Sequence, residues 1–450
     1  MGARNFLSQS LAGDRTGGMA TAAVPSRRPA SLPLCGLLYL LTAGGPAHGA
    51  GLGLREFGSP LNGSASAGWA ALGEDASTAA TNPAAMTRLE RSEFLAGAQL
   101  LVVDIKFDTE QSSFGGGNGG NAGGAQPAGG LFYVHKVNPD LALGLSASSF
   151  LGLGFEFDND WAGRYHITKG ELVTMAAGPS IGYRLNDRWS VGGGVFALYG
   201  DLDQRAAINN GITDPGTPDG QIKFQQDDWA VGGTLGVLYE PQAGTRFGLN
   251  ARSKAELELE DAVRVRGLGS NLNTLLSLTG ILGSEIDMEM TLPRAVTLSG
   301  YHALNDKLAL MGNLGWENWS EFGQVGITLN STTARSFEQD RNFKDTWHVA
   351  LGARYRYRPQ WILSAGLAYD SSPVDDHDRT IDLPLDRQIR VGVGAEYEKH
   401  DDFVLGFGYV YLNAGDAEID QSGGPLTGDI KGEFDRNAVH FFNVNARWRF

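Results

Sequence analysis

Cysteine is almost absent from this chain of 450 residues: Cys35 is the only one. A disulfide framework and a cysteine-ligated metal are excluded, and everything after the first apolar run lacks a thiol nucleophile. Basic charge is also in deficit, with 36 Lys and Arg against 51 Asp and Glu for a formal net charge of −15. No basic cluster appears, so nucleic acid is excluded as a partner, because its phosphates demand clustered cations. Long apolar runs are missing after residue 49. A spanning helix needs about 20 apolar residues, so a membrane crossing by this chain has to be made by strands that close on themselves. Glycine is plentiful at 63 residues, but it shows no triplet period, which rules out a collagen-like fibre.

The first 49 residues read as a signal peptide for export: Arg27 and Arg28, the apolar run Leu32 to Leu41, then small residues around Ala47-His48-Gly49. Met19 is an alternative start. Residues 1–49 hold four Arg and one Asp, so their removal leaves 32 basic and 50 acidic residues, a charge of −18. Residues 50–91 are rich in Ala, Gly and Ser, with neither strand alternation nor a sustained helical face. Residues 92–450 contain no linker or composition break and are expected to form one domain.

That domain is written in alternating residues. Phe442, Val444, Ala446, Trp448 and Phe450 interleave with Asn443, Asn445, Arg447 and Arg449. A period of two puts the apolar set on one face of a strand. Trp347 to Arg358 and Ile389 to Glu398 repeat the pattern, and so does Arg246 to Glu260, which reads as a single strand. Tight turns stand at Asn138-Pro139-Asp140, Asn186-Asp187, Pro241 to Gly244, Asn305-Asp306, Arg358-Pro359-Gln360 and His400-Asp401-Asp402. Long irregular connections are expected near 111–129, 154–166, 206–222, 261–287, 317–343, 371–387 and 413–436. Six short turns and seven long loops join fourteen strands, an even number with both termini on the short-turn side, as bacterial outer-membrane barrels require.

Aromatics mark that side. Trp189, Trp361 and Phe403 follow a short turn, whereas Tyr183, Tyr239, Tyr301, Tyr357 and Tyr397 precede one, the arrangement of a girdle where lipid meets water. The expected fold is therefore all-β: a 14-stranded antiparallel transmembrane barrel in the outer membrane of a Gram-negative bacterium. Phe450 ends an alternating strand, the signature by which barrel-assembly machinery selects its clients. The surroundings expected of such a barrel are outer-membrane lipid and lipopolysaccharide, and a monomer is expected.

Asn82-Pro83-Ala84, shortly before the first strand, and Trp161-Ala162-Gly163-Arg164-Tyr165 give the chain a resemblance to the FadL/TodX family of outer-membrane fatty-acid and hydrocarbon transporters. The resemblance implies that residues 50–91 form a hatch inside the lumen, with Asn82, Pro83 and Ala84 as its motif. It implies uptake of long-chain fatty acids or other hydrophobic molecules, with aromatic-hydrocarbon or alkane uptake and then a general diffusion porin as alternatives. It also implies lateral release at a kinked third strand, for which Gly152 and Gly154 are candidates. A capture site on the outer loops would use Leu272, Leu275, Leu276, Leu278, Ile281 and Leu282. Basic lumen residues would meet a head group; Arg205 and Lys254 are the candidates, with Arg252 close behind, and a salt-bridge lattice is the alternative role for each.

No cofactor or metal is expected, and no enzyme. The histidines lack a catalytic setting, and Gly115 to Gly120 lacks the Lys-Ser/Thr continuation of a phosphate loop. Asp375-Asp376-His377-Asp378 reads either as a cation site or as a solvated acidic tip. The strand Phe403 to Leu412 is apolar on both faces, which suits either a greasy strip in the lumen or packing against the hatch.

Overall fold

The structure is a computed structural model that describes residues 55–450, apart from 263, 279–281, 283 and 331–334. The expected signal peptide and Ile281 lie outside the described residues. Fourteen antiparallel strands form the wall. They are β1 Glu93–Ser112, β2 Ala125–Lys136, β3 Leu141–Glu156, β4 Lys169–Arg184, β5 Trp189–Ile208, β6 Gly220–Gln242 and β7 Thr245–Arg252. The second half comprises β8 Ala295–Ala303, β9 Leu308–Glu317, β10 Thr346–Arg358, β11 Trp361–Asp370, β12 Gln388–His400, β13 Phe403–Asn413 and β14 Ile430–Arg449. Each strand bonds to the next, and β14 pairs with β1 from Glu93↔Arg449 onward, which closes the barrel. Closure leaves no edge in contact with lipid, the condition for crossing a bilayer with strands.

The period-two reading decides what each face meets. Leu145, Val195, Val231, Leu235, Leu351 and Phe407 are exposed on the outer surface, a band too apolar to stand in water and suited to lipid. Their sequence neighbours point inward. At the short-turn end the aromatic girdle is built of cross-strand pairs: Trp189 lies 4.4 Å from Tyr239, Trp361 4.9 Å from Tyr397, and Phe403 5.3 Å from Trp448. Tyr301 departs from the expectation. It shares the parity of Thr297 and Ser299, opposite to the exposed Leu298, so it faces the lumen, where the Arg246 guanidinium sits 3.5 Å from its ring centre.

A second departure lies on the outer side. The stretch Arg246 to Glu260 is two strands. β7 ends at Arg252, where Ser253 Oγ accepts a hydrogen bond from the Gly233 amide, and Ala255–Ala262 leaves the wall. Above the hydrocarbon there is no lipid left to cover an apolar face. The extension therefore turns Leu257 and Leu259 over the lumen, both fully buried, and leaves Glu256, Glu258 and Glu260 in water. It joins Glu285–Leu292, Gln324–Asn330 and Arg335–Asp340 in a four-stranded sheet. Parts of the two connections expected to be irregular, 261–287 and 317–343, are thus strand.

Candidate transport pathway

Residues 55–91 lie inside the barrel, and their backbone runs against the wall where the wall has glycine. Cβ atoms at Gly97, Gly182, Gly192, Gly236, Gly248 and Gly366 would collide with Gly58, Pro83, Ala84, Asn82, Ala70 and Ser64 respectively. Six strands thus supply bare backbone at the level where the segment passes, and glycine is the residue that permits such an approach. Asn82 is fully buried. Its amide donates to the carbonyls of Ala70 (2.7 Å) and Val237 (3.1 Å), while its Oδ1 accepts from the Ala84 amide (3.1 Å). Pro83 opens the following turn without an amide to satisfy. The Asn-Pro-Ala sequence therefore ties one bend of the segment both to itself and to β6.

Charge fixes the same segment from both sides. Glu74 pairs with Arg354 (2.9 Å) and Arg246 (3.2 Å), and its carbonyl accepts from Arg447 (3.0 Å). Arg354 and Arg447 both engage Glu396, Arg88 engages Glu240, and Arg55 engages Glu317 at 2.7 Å. Burial raises the Glu74 carboxyl pKa, but the guanidiniums of Arg354 and Arg246 outweigh it and hold it below the ordinary carboxylate value. Glu56 shows the opposite balance: burial raises its carboxyl, with Arg390 at 3.4 Å only partly opposing. Buried pairs of this kind are costly to break on one side only.

Above the segment a pocket of about 80 Å³ opens. Phe57 and Trp69 come from the segment; Phe150, Phe196 and Arg252 come from the wall. The Arg252 guanidinium lies 4.5 Å from the centre of the Phe150 ring, and its Nε is buried without a hydrogen-bond partner among the described residues. No carboxylate of the described residues lies within ion-pairing distance of Arg252. A desolvated cation–π contact contributes about 2 kcal/mol or more, while each hydrogen bond to a charged group contributes about 1.5–3 kcal/mol and a carboxylate can offer a guanidinium two of them. A carboxylate entering the pocket would therefore compete successfully for this cation.

Beside the pocket the wall is incomplete. The β2–β3 ladder ends at Gly130↔Ser148; from Ser149 outward β3 is paired as a strand only with β4, and on its other side only the Gly129 amide to Ser149 Oγ and the Glu156 amide to the Ala122 carbonyl bridge the gap. The register of β3 slips between Ser149 and Leu151, which places Phe150 at the irregularity. The β4–β5 ladder likewise skips Gly178 and Pro179, because proline has no amide to give. Gly152 and Gly154 sit two and four residues beyond Phe150, paired regularly with Val173 and Glu171, and the Gln126 side chain reaches across to Gly154.

The outer half of the lumen is apolar. Leu172, Leu198, Leu202, Phe224, Leu257, Leu259, Met288 and Met290 belong to one buried cluster, against which Phe150 and Phe196 pack. The helix Ser270–Leu278 lies over it. Leu272 and Leu276 are buried in the cluster, Leu275 and Leu282 pack on it, and Leu278 stands 81% exposed. Arg205 and Lys254 lie apart from this path. Arg205 faces outward beside Asp203 at 2.8 Å, a carboxylate shared with Lys169 and Lys223, and Lys254 pairs with Glu256 at 2.6 Å on the rim. On β13, Val410 and Leu412 point inward and pack with Ile381, Ile419 and Phe434.

Trp161 is fully buried among the outer loops, stacked 3.7 Å from Phe157 and donating from Nε1 to the Ile167 carbonyl. Arg164 and Tyr165 both bond to Asp219. The Trp-Ala-Gly-Arg-Tyr stretch thus staples loops together. Asp375, His377 and Asp378 bring their ligand atoms within 4.8 Å of one another on an exposed loop, where Lys344 and Asn342 already engage the two carboxylates.

The family model for the outer membrane protein transport protein (OMPP1/FadL/TodX) matches residues 40–450. The chain belongs to the OMPP1/FadL/TodX family. This FadL/TodX-family member is similar to the long-chain fatty acid transport protein of Escherichia coli O6:H1, with 29% identity over 434 residues, 90% of this chain and 95% of the relative. It is also 27% identical over 415 residues to outer membrane protein P1 of Haemophilus influenzae, covering 83% of this chain and 88% of that one. A FadL homologue from Pseudomonas aeruginosa superposes with a TM-score of 0.79 at 20% identity, covering 89% and 99% of the two chains. The toluene transporter TbuX of Ralstonia pickettii gives 0.62 at 19% identity, covering 88% and 99%. The FadL/TodX assignment fixes the setting: this is an outer-membrane transport protein, and its pathway is for hydrophobic compounds.

Sequence reasoning named Arg252 only as a lesser candidate and missed Phe150. Nothing local distinguishes Phe150 from the other apolar residues of β3, and its partner lies a hundred residues away.

Proposed function

We propose that this FadL/TodX-family member takes up long-chain fatty acids, with residues 55–91 acting as a hatch and the gap between β2 and β3 as a side exit into the membrane. The observation that carries the reading is an apolar pocket lying directly behind the place where the β2–β3 ladder stops. A long acyl chain gains about 0.8 kcal/mol for each CH₂ that leaves water, so a water-filled bore would reject it. A continuous apolar surface does not. The buried outer cluster leads from the leucines of the Ser270–Leu278 helix to Phe150 and Phe196, which supports capture outside and passage inward. Below the pocket the lattice around Glu74 keeps the straight route filled, which favours release sideways. A porin reading fits poorly with a segment so fully buried in the bore.

The exit can be locked. The Gln126 side chain reaches across the gap to Gly154, where an added Cβ would meet only its flexible end, so cysteines at these two positions can be bridged by a short bifunctional methanethiosulfonate. Cys35 is the only cysteine of the sequence itself. Cells carrying the Gln126→Cys/Gly154→Cys protein should lose uptake of radiolabelled oleate on treatment with this cross-linker and regain it on reduction. Full uptake through a protein whose crosslink is verified by its mobility would rule out this exit.

A further inference from the structure

We infer that Arg252 and Phe150 form a latch across the side exit that an anionic amphiphile releases and a neutral hydrocarbon does not. The inference rests on the transport reading above and assigns the selection between acidic and neutral cargo to two residues. Phe150 occupies the point where β3 slips its register, just past the last β2–β3 pair. Its ring stands between the pocket and the unpaired stretch, held on one side by Phe196 at 6.0 Å and on the other by the Arg252 guanidinium at 4.5 Å.

Arg252 comes from β7, across the lumen from β3, and is placed there at the last β6–β7 pair, Thr234↔Arg252. No carboxylate of the described residues is in ion-pairing range; Glu317 attracts and Arg55 repels its charge from farther off, and the group lying against the guanidinium is the face of Phe150. An aromatic face is a weak partner for a desolvated guanidinium, and a carboxylate with two oxygens is a strong one. When a carboxylate occupies Arg252, the guanidinium plane turns to it and the ring loses its hold. The ring is then free to swing, and the acyl chain already lying along Phe196, Phe57 and Trp69 has the opening beside it. Neutral cargo fits the same apolar walls but offers nothing to exchange for the ring, so the latch stays closed.

The two residues should therefore shift acid and neutral cargo in opposite directions. In a host lacking its own fatty-acid transporter, uptake of radiolabelled laurate and of radiolabelled dodecane is measured for the full chain and for Arg252→Gln, Arg252→Lys and Phe150→Ala. Heat-dependent mobility on gels reports that each barrel is folded. Arg252→Gln should lower laurate uptake about tenfold, the size of one lost charge-assisted contact, while dodecane uptake rises. Arg252→Lys should restore most of the preference for laurate, and Phe150→Ala should admit dodecane. A change of both cargoes in the same direction in Arg252→Gln would overturn the latch and leave the transport reading standing. Failure of the unaltered chain to take up either compound would overturn both.

Discussion

The two halves of the lumen are held by different physics. In the inner half almost every contact is directional: Asn82 to two carbonyls, Glu74 to Arg246 and Arg354, and the segment against bare glycine on six strands. In the outer half the cluster around the path is leucine, methionine and phenylalanine, and the buried ion pair Arg341–Asp382 belongs to the loops beside it. Directional contacts specify a single position for residues 55–91, which suits a closure. Apolar contact is indifferent to orientation, which suits a path for flexible cargo.

The largest break in this contrast should come at Glu74. Glu74→Ala leaves Arg246 and Arg354, both buried, short of their shared carboxylate; Glu74 is 32% exposed and Arg354 keeps Glu396, so the cost falls below the roughly 3–5 kcal/mol of breaking a fully buried pair. The barrel should persist while residues 55–91 loosen. Steady ion conductance in a planar bilayer, above that of the unaltered protein, is the expected result. A variant with no more conductance than its parent would show that charge does not hold this segment in place.

Much of the wall was legible because its signal is local. Period-two alternation and turn residues are properties of ten neighbouring positions, and they placed fourteen strands and seven long connections without any distant information. Tyr301 was misread although the signal was present: Val296 and Leu298 alternate with Thr297 and Ser299, and Tyr301 falls in the polar set. The break after Arg252 was hidden for a different reason. Its apolar residues keep one parity from Phe247 to Leu259, and only the end of the lipid layer, which no sequence states, turns that face from outside to inside. The glycine footings were visible as glycines but not as footings, since each needs a partner from the N-terminal segment.

A smaller effect should separate the halves by pH. His166, in the loop between β3 and β4, is buried and bonds through Nε2 to the Gly428 carbonyl at 3.1 Å, joining two outer loops. Burial depresses its pKa to about 4, although the Gly428 carbonyl favours the charged form. The freed imidazole, with a pKa near 6.5, takes up a proton that the docked one refuses. Docking is thus fully stable above pH ~6.5 and weakens as pH falls toward 4, by up to about 3 kcal/mol. Hydrogen exchange at residues 163–168 and 424–430, taken relative to the intrinsic amide rate at each pH, should rise as pH falls from 6.5 to 4.5 and stay flat in His166→Gln. Equal exchange across that range in the unaltered protein would show that His166 titrates where a free imidazole does.

The smallest effect should fall on the roof of the apolar half. Leu278 is 81% exposed and contributes little to folding, whereas Leu276, two residues earlier on the same helix, is 3% exposed and packed in the cluster. Surface substitutions away from buried features change stability by no more than about 0.5 kcal/mol, so Leu278→Ser should unfold at the temperature of its parent. If the helix serves capture, the exposed leucine is the part that cargo touches first, and its loss removes apolar contact worth about 1.5–3 kcal/mol when fully covered. The half-saturating oleate concentration for uptake should therefore rise severalfold while the maximal rate holds. An unchanged half-saturation would move the first contact off this helix, and a lowered maximal rate would place Leu278 on the internal path instead.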